Sequence, residues 1–125
     1  MPVKTTNIST SMHPSVAQAM YQCVAETTVT TMMAQNFHWN VTGMAFGPLH
    51  SLFQEIYEDH FQAQDDLAER IRATGHTVDG RLSEMIRVSK VLEEPNETHK
   101  SDLEMITALA EAQKILAATL CGASD

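Results

Sequence analysis

Basic residues are nearly absent from the first half of this chain: Lys4 is the only lysine or arginine before Arg70. That absence excludes a basic arm or groove for nucleic acid phosphates in this region. The whole chain carries a formal charge of −8, which concentrates cations and repels phosphates. Glycine and proline are also scarce, with 5 and 4 copies in 125 residues, so a loop-rich fold is disfavoured and helices are favoured. Two cysteines, Cys23 and Cys121, are too few for a disulfide framework. They imply a reducing compartment and read as small buried apolar groups. No run approaches the ~20 apolar residues of a membrane-spanning helix, and the N-terminus lacks an apolar leader segment. The expectation is a soluble cytoplasmic protein of one domain. There is no internal repeat, and no alternating pattern that would mark a strand.

What is present is helical periodicity. Residues 1–12 are polar and Ser/Thr-rich, the composition of a flexible tail. The domain is expected to cover 13–125. Ser15, or alternatively Ser11, is the expected cap of a first long helix running to about Trp39. Val16, Met20, Cys23, Val24, Val29, Met32, Met33 and Phe37 recur along it at roughly helical spacing. The threonines at 27, 28, 30 and 31 weaken its helix propensity. Asn40-Val41-Thr42-Gly43 breaks it. Pro48 opens a second helix to about Ala73, with Leu49, Leu52, Phe53, Ile56, Phe61, Leu67 and Ile71 on its apolar face. A short helix is expected over Arg81–Val88, and Glu94-Pro95-Asn96 is a loop. Ser101 and Glu104 form a capping-box pair that starts a third long helix. Its expected stripe is Leu103, Ile106, Leu109, Ala110, Ala117 and Leu120. Three long helices and one connector are one short of the usual closed bundle. Another chain, or a segment absent from this sequence, must cover the remaining apolar surface.

Six histidines are many for so acidic a chain. His38 ends the first helix and His50 begins the second, twelve positions on. Asp65 and Glu69 are four apart on one face of the second helix. This donor set suits iron, manganese or zinc. A helix rises ~1.5 Å per residue, so Asp65 stands roughly 22 Å beyond His50 along the axis. Metal–ligand bonds span about 2 Å, so the two groups cannot share a metal on one straight helix. Either they are unrelated clusters, or two antiparallel copies bring His38 and His50 of one to Asp65 and Glu69 of the other. No histidine has a glutamate three residues before it, so the usual Glu-x-x-His di-iron pattern within one bundle is absent. On spacing alone the bland reading leads: a helix-end histidine is more often a cap, and an i,i+4 acidic pair a solvated face. Glu69 would then pair with Arg70 or Arg72.

The run His38-Trp39-Asn40-Val41-Thr42-Gly43-Met44-Ala45-Phe46-Gly47-Pro48-Leu49-His50-Ser51-Leu52-Phe53 resembles the signature of the Dps family. Asp65-Asp66-Leu67-Ala68-Glu69-Arg70 resembles the second family motif, at the expected distance downstream. These are the ferritin-like proteins that protect DNA in starved cells. The resemblance spans about residues 15–125. It implies an all-α, ferritin-like antiparallel four-helix bundle with a short connector helix, its fourth helix missing from this sequence. It implies that His38, His50, Asp65 and Glu69 bind Fe(II) at a two-fold dimer interface. Iron is then oxidised by hydrogen peroxide, or by oxygen, and stored as ferric oxide in a hollow shell of twelve subunits. Trp39 is implied either as an interceptor of stray oxidising equivalents or as interface packing.

Three departures from the family pattern stand out. Many members have an acidic residue four positions after the second histidine; here it is Gln54, which puts the second of two irons in doubt. Glu55 or water would have to substitute. The Lys-rich tail of the DNA-binding members is reduced to Lys4, so direct DNA binding is not expected. The sequence stops where the fourth long helix should begin. The competing readings are a nucleoid-associated protein that compacts DNA and a shell protein that no longer oxidises iron. His60, Tyr57 and Phe61 are expected to pack at helix interfaces, His76 and Asp79 to serve the connector loop rather than to guide iron, and the eight methionines to fill the core rather than to act as an oxidant sink.

Overall fold

The structure is a computed structural model that describes residues 13–94 and 100–124. The polar tail over 1–12 and part of the Glu94-Pro95-Asn96 loop lie outside the described residues. Among those described there are four helices: α1 (Pro14–Asn40), α2 (Phe46–Ala73), α3 (Leu82–Val88) and α4 (Asp102–Ser124). This is the expected set of three long helices and one short connector.

The helix ends follow local chemistry. Pro14 occupies the first turn of α1, where its missing N–H costs nothing. The cap is His13, whose Nδ1 accepts the Ser15 amide at 3.1 Å, rather than Ser15 itself. A histidine ring supplies the same acceptor as a serine oxygen, and Pro14 fixes the chain direction just after it. Gly43, at φ +97°, makes the turn between α1 and α2 that a side chain would resist. It lets the α2 start reach two residues ahead of the expected one, with Phe46 N donating to Gly43 O (3.1 Å). Pro48 still falls in the first turn. The capping box forms as expected: Ser101 N donates to Glu104 Oε1 at 2.7 Å, and Glu104 N to Ser101 Oγ at 3.1 Å.

Helix α1 is the hub, packing against α2, α3 and α4. Residues 23–31 are therefore buried without a break, where a surface helix would bury one stripe. Threonine suits this position because it is small and can return its hydroxyl to its own helix. Thr28 Oγ1 donates to Val24 O (2.7 Å) and Thr31 Oγ1 to Thr27 O (2.6 Å). Packing overrides the weak helix propensity of the run. One cluster joins Val29, Met33, Phe37, Leu49, Phe53, Val91, Met105 and Leu109; a second joins Val24, Ala25, Ile71 and Met85.

Several sequence-based faces need correction. On α4 the buried line is Met105, Leu109, Ala112 and Leu116, while Leu103, Ile106, Ala110, Ala117 and Leu120 are exposed. This helix is apolar on two sides, and among the described residues one of them packs into the bundle, chiefly against α1. Val16, Met32, Leu52 and Phe61 are likewise exposed. Cys23 is buried as expected, and burial, then Glu26, pushes its thiol above the ordinary value. Cys121 is exposed, against expectation. Between α2 and α4 runs a groove of about 460 Å³ lined by Thr27, Ala63, Leu67, Leu116 and Leu120. His60 Nε2 bridges it to Gln113 Oε1 at 3.1 Å.

Glu26 is the unexpected core residue, with no exposed surface. Its Oε2 accepts from Lys90 N (2.9 Å) and Gln22 Nε2 (3.0 Å), tying the segment after α3 to the centre of α1. Glu26→Ala leaves the Lys90 amide without that acceptor, and should cost about 2–3 kcal/mol. Glu26→Gln keeps an acceptor oxygen and should cost under about 1 kcal/mol. Urea unfolding at one fixed protein concentration measures both. The connector has its own anchor at Asp79. Its side chain is held at about 2, below its ordinary 3.8, chiefly by the Arg81 guanidinium and then by the Arg81 amide. A depressed carboxyl stabilises the folded form above its ordinary range. That support should fade as pH falls from about 4 towards 2. Amide protection factors in α3 should fall across this window, and Asp79→Asn should weaken the dependence, leaving the part due to Glu84, whose carboxyl Arg87 also lowers.

Candidate functional site

The end of α1 and the beginning of α2 are joined through two histidines. His38 Nδ1 lies 2.7 Å from the His50 carbonyl, and His50 Nδ1 lies 2.8 Å from the His38 carbonyl. A carbonyl oxygen only accepts, so each Nδ1 carries a proton and donates. The hydrogen bond at Nδ1 leaves Nε2 as the nitrogen whose lone pair can bind a metal. The rings stack with centroids 3.7 Å apart and planes at 19°. His38 is buried and His50 half-buried.

Helix α2 supplies the surroundings. Phe46, His50 and Tyr57 follow at intervals of four and seven, which places them on one face. The His38 ring enters between His50 and Tyr57, with the tyrosine edge-on at 5.3 Å and 76°. Phe46 lies over the other side of His50, at 4.9 Å and 20°. The sequence reading assigned neither aromatic to the site; the interval pattern was the available signal. Trp39 follows His38 but is 61% exposed, on an apolar groove with Met32, Phe61, Leu82 and Ile86. Tyr57 and His60 pack at helix interfaces as expected, whereas Phe61 is exposed within the chain.

Asp65 and Glu69 are also brought together, on the exposed face of the same helix. The Asp65 charge, and then a hydrogen bond between the two carboxyls, raises Glu69 above its ordinary value. Two carboxyls that repel each other in this way are placed so that a bound cation would relieve the repulsion. Arg72 Nη1 donates instead to the His76 carbonyl (3.1 Å). The two pairs do not meet. Helix α2 is continuous from Phe46 to Ala73, and fifteen residues separate His50 from Asp65, roughly 22 Å of helix. Among the described residues no three His, Cys, Asp or Glu side chains of one chain could hold a metal ion together. Gln54 is exposed and donates from Nε2 to Glu58 Oε2 (3.0 Å), and Glu55 is exposed beside it.

The helices and the helix-end histidines define a ferritin-like protein. The model of the ferritin-like domain matches residues 17–125. The chain is 42% identical over 80 residues to the DNA protection during starvation protein of Helicobacter pylori. That match covers 63% of this chain and 56% of the relative, so the chain spans little more than half the relative's length. The crystal structure of Dps from Staphylococcus aureus superposes with a TM-score of 0.84 at 34% identity, over 90% of this chain and 74% of that one. A Dps structure from Vibrio cholerae, described as a ferritin-like diiron-carboxylate protein, shares the fold with a TM-score of 0.85. It is 24% identical, over 98% of this chain and 78% of that one. The chain belongs to the Dps family of ferritin-like proteins.

The carboxyl pair can be tested directly. Carbon-13 NMR of the side chains should show Glu69 titrating above the ordinary 4.5. Asp65→Asn removes the largest cause, and should bring Glu69 back towards that value.

Proposed function

We propose that this protein binds and oxidises Fe(II) at sites built between two copies of the chain, and stores the ferric product. His38 and His50 of one copy supply imidazole nitrogens, and Asp65 and Glu69 of the other supply oxygens. The observation that carries this reading is the double half-site: two histidines locked by reciprocal hydrogen bonds through Nδ1, and an exposed carboxyl pair about 22 Å along the same continuous helix. A two-fold, antiparallel arrangement completes two sites at once. Imidazole and carboxylate together accommodate Fe(II) and Fe(III).

Two Fe(II) supply the two electrons that reduce one hydrogen peroxide, with two protons, to two waters; no hydroxyl radical is released. Oxygen is the slower alternative oxidant. Gln54, with its amide turned to Glu58, makes the second iron position the weaker one. Trp39 stands next to His38, where it can intercept an oxidising equivalent or pack against the partner. The exposed apolar residues Met32, Trp39, Phe61, Leu82 and Ile86 supply surface for the second copy. Such dimers would build a closed shell of twelve in the cytoplasm. The −8 charge favours iron over DNA as the ligand. Gln54 is the one feature that favours a second reading, a shell that assembles without efficient oxidation.

The sharing of the site is testable by complementation. Anaerobic titration should show saturable Fe(II) binding, followed by fast oxidation on adding peroxide. His50→Ala and Asp65→Ala should each assemble and lose oxidation. Refolded together, half of the randomly formed dimers are mixed, and each holds one intact site. The mixture should recover about a quarter of the original rate. No recovery in an assembled mixture overturns the shared site.

A further inference from the structure

We infer that Phe46 is a positioning residue of the histidine half-site, holding the His50 imidazole in the plane and tautomer that leave Nε2 free to bind. This rests on the reading of His38 and His50 as iron ligands. Phe46 is 44% exposed and belongs to neither hydrophobic cluster, so core filling does not explain a large apolar ring at the first position of α2. The ring contact it makes is with His50, at 4.9 Å and nearly parallel. His38 lies parallel on the opposite face at 3.7 Å. His50 is thus sandwiched between two flat rings.

The sandwich answers a specific mechanical need. His50 is only half-buried, and an imidazole can turn about its outer side-chain torsion, which is broad and nearly two-fold. Such a turn exchanges Nδ1 with a carbon and breaks the 2.8 Å bond to the His38 carbonyl. It also moves Nε2. His38 needs no such guard, because it is buried and held between His50 and Tyr57. Phe46 closes the one open face. It shields the Nδ1–H···O bond from water and restricts the ring to the orientation in which His50 Nδ1 keeps its bond to the His38 carbonyl. In metal sites the groups that fix a histidine in this way typically alter affinity 10–100-fold when removed.

The test uses the full chain as the purified oligomer, with Phe46→Ala, Phe46→Leu and Phe46→Tyr. The leucine keeps bulk without a flat face, and the tyrosine keeps the face. Nitrogen-15 spectra of the metal-free protein should show His50 as a single Nδ1–H tautomer in the wild type and in Phe46→Tyr. The alanine and leucine variants should give averaged ring signals. Anaerobic calorimetry with Fe(II) should show binding about tenfold weaker in those two, at unchanged oligomer size and melting temperature, and restored by tyrosine. A mixed tautomer in the wild type overturns the inference. So does a single tautomer in Phe46→Ala, or a loss in Phe46→Leu that accompanies general unfolding. Should the wild type bind no Fe(II), the proposed function falls, and the metal-free spectra alone decide the role of Phe46.

Discussion

Two hydrogen bonds between imidazole rings and main-chain carbonyls govern how this molecule is put together. Helix α1 ends at Asn40, and its last carbonyls have no partner within the helix. Val41 N satisfies Phe37 O, and the His50 ring satisfies His38 O. The same contact that ends α1 fixes where α2 starts, because His50 lies in the first turns of that helix. The return bond from His38 to the His50 carbonyl closes the pair. A helix cap and the tautomer of a histidine are here one interaction. Neither can be altered without the other, so in the proposed site a functional constraint and a folding constraint would fall on the same two residues.

That junction feeds a bundle whose centre is a polar helix. Threonine hydroxyls fold back on α1, Gln64 Nε2 reaches Thr28 Oγ1 at 2.6 Å, and Glu26 receives the connector amide. Each of these bonds replaces one that water would provide, whereas Glu26 Oε1 and Thr30 Oγ1 are buried with no hydrogen-bond partner among the described residues. Apolar packing then operates on either side of this band, through the Phe37–Phe53 contact at one end and Ile71 with Val24 at the other. The α1–α2 hairpin is consequently the firm part of the molecule. It carries the histidine pair and the carboxyl pair, and holds them at a separation set by helix rise alone.

The sequence made the helices legible because long periodic segments with a capping box and a first-turn proline leave few alternatives. It made the Asp65–Glu69 pair legible because an interval of four has one meaning on a helix. Facing was harder. Helix α4 offers apolar residues on two sides, and nothing local tells Met105 from Leu103; only its packing on α1 selects between them. Glu26 was invisible because its partner is an amide 64 residues away. The His13 cap was missed because histidine is not an expected residue there. The histidine pair could be named from a resemblance, but its reciprocal bonding depends on ring orientation, which no spacing encodes.

The stiffness of α2 has a consequence for any activity of the proposed kind. If imidazoles and carboxyls must meet and one helix keeps them about 22 Å apart, occupancy of the site is tied to association. Fe(II) would then bind the dimer and not the separate chains, and mass action would make iron a stabiliser of the assembly. The coupling is reciprocal: a dilute, dissociated chain would bind iron poorly however sound its histidines. A protein built this way makes no half-formed sites that bind iron and leave it exposed to peroxide. The exposed apolar patch at Trp39 and the open carboxyl pair are features of one subunit, and in the proposed dimer each would acquire a physical purpose.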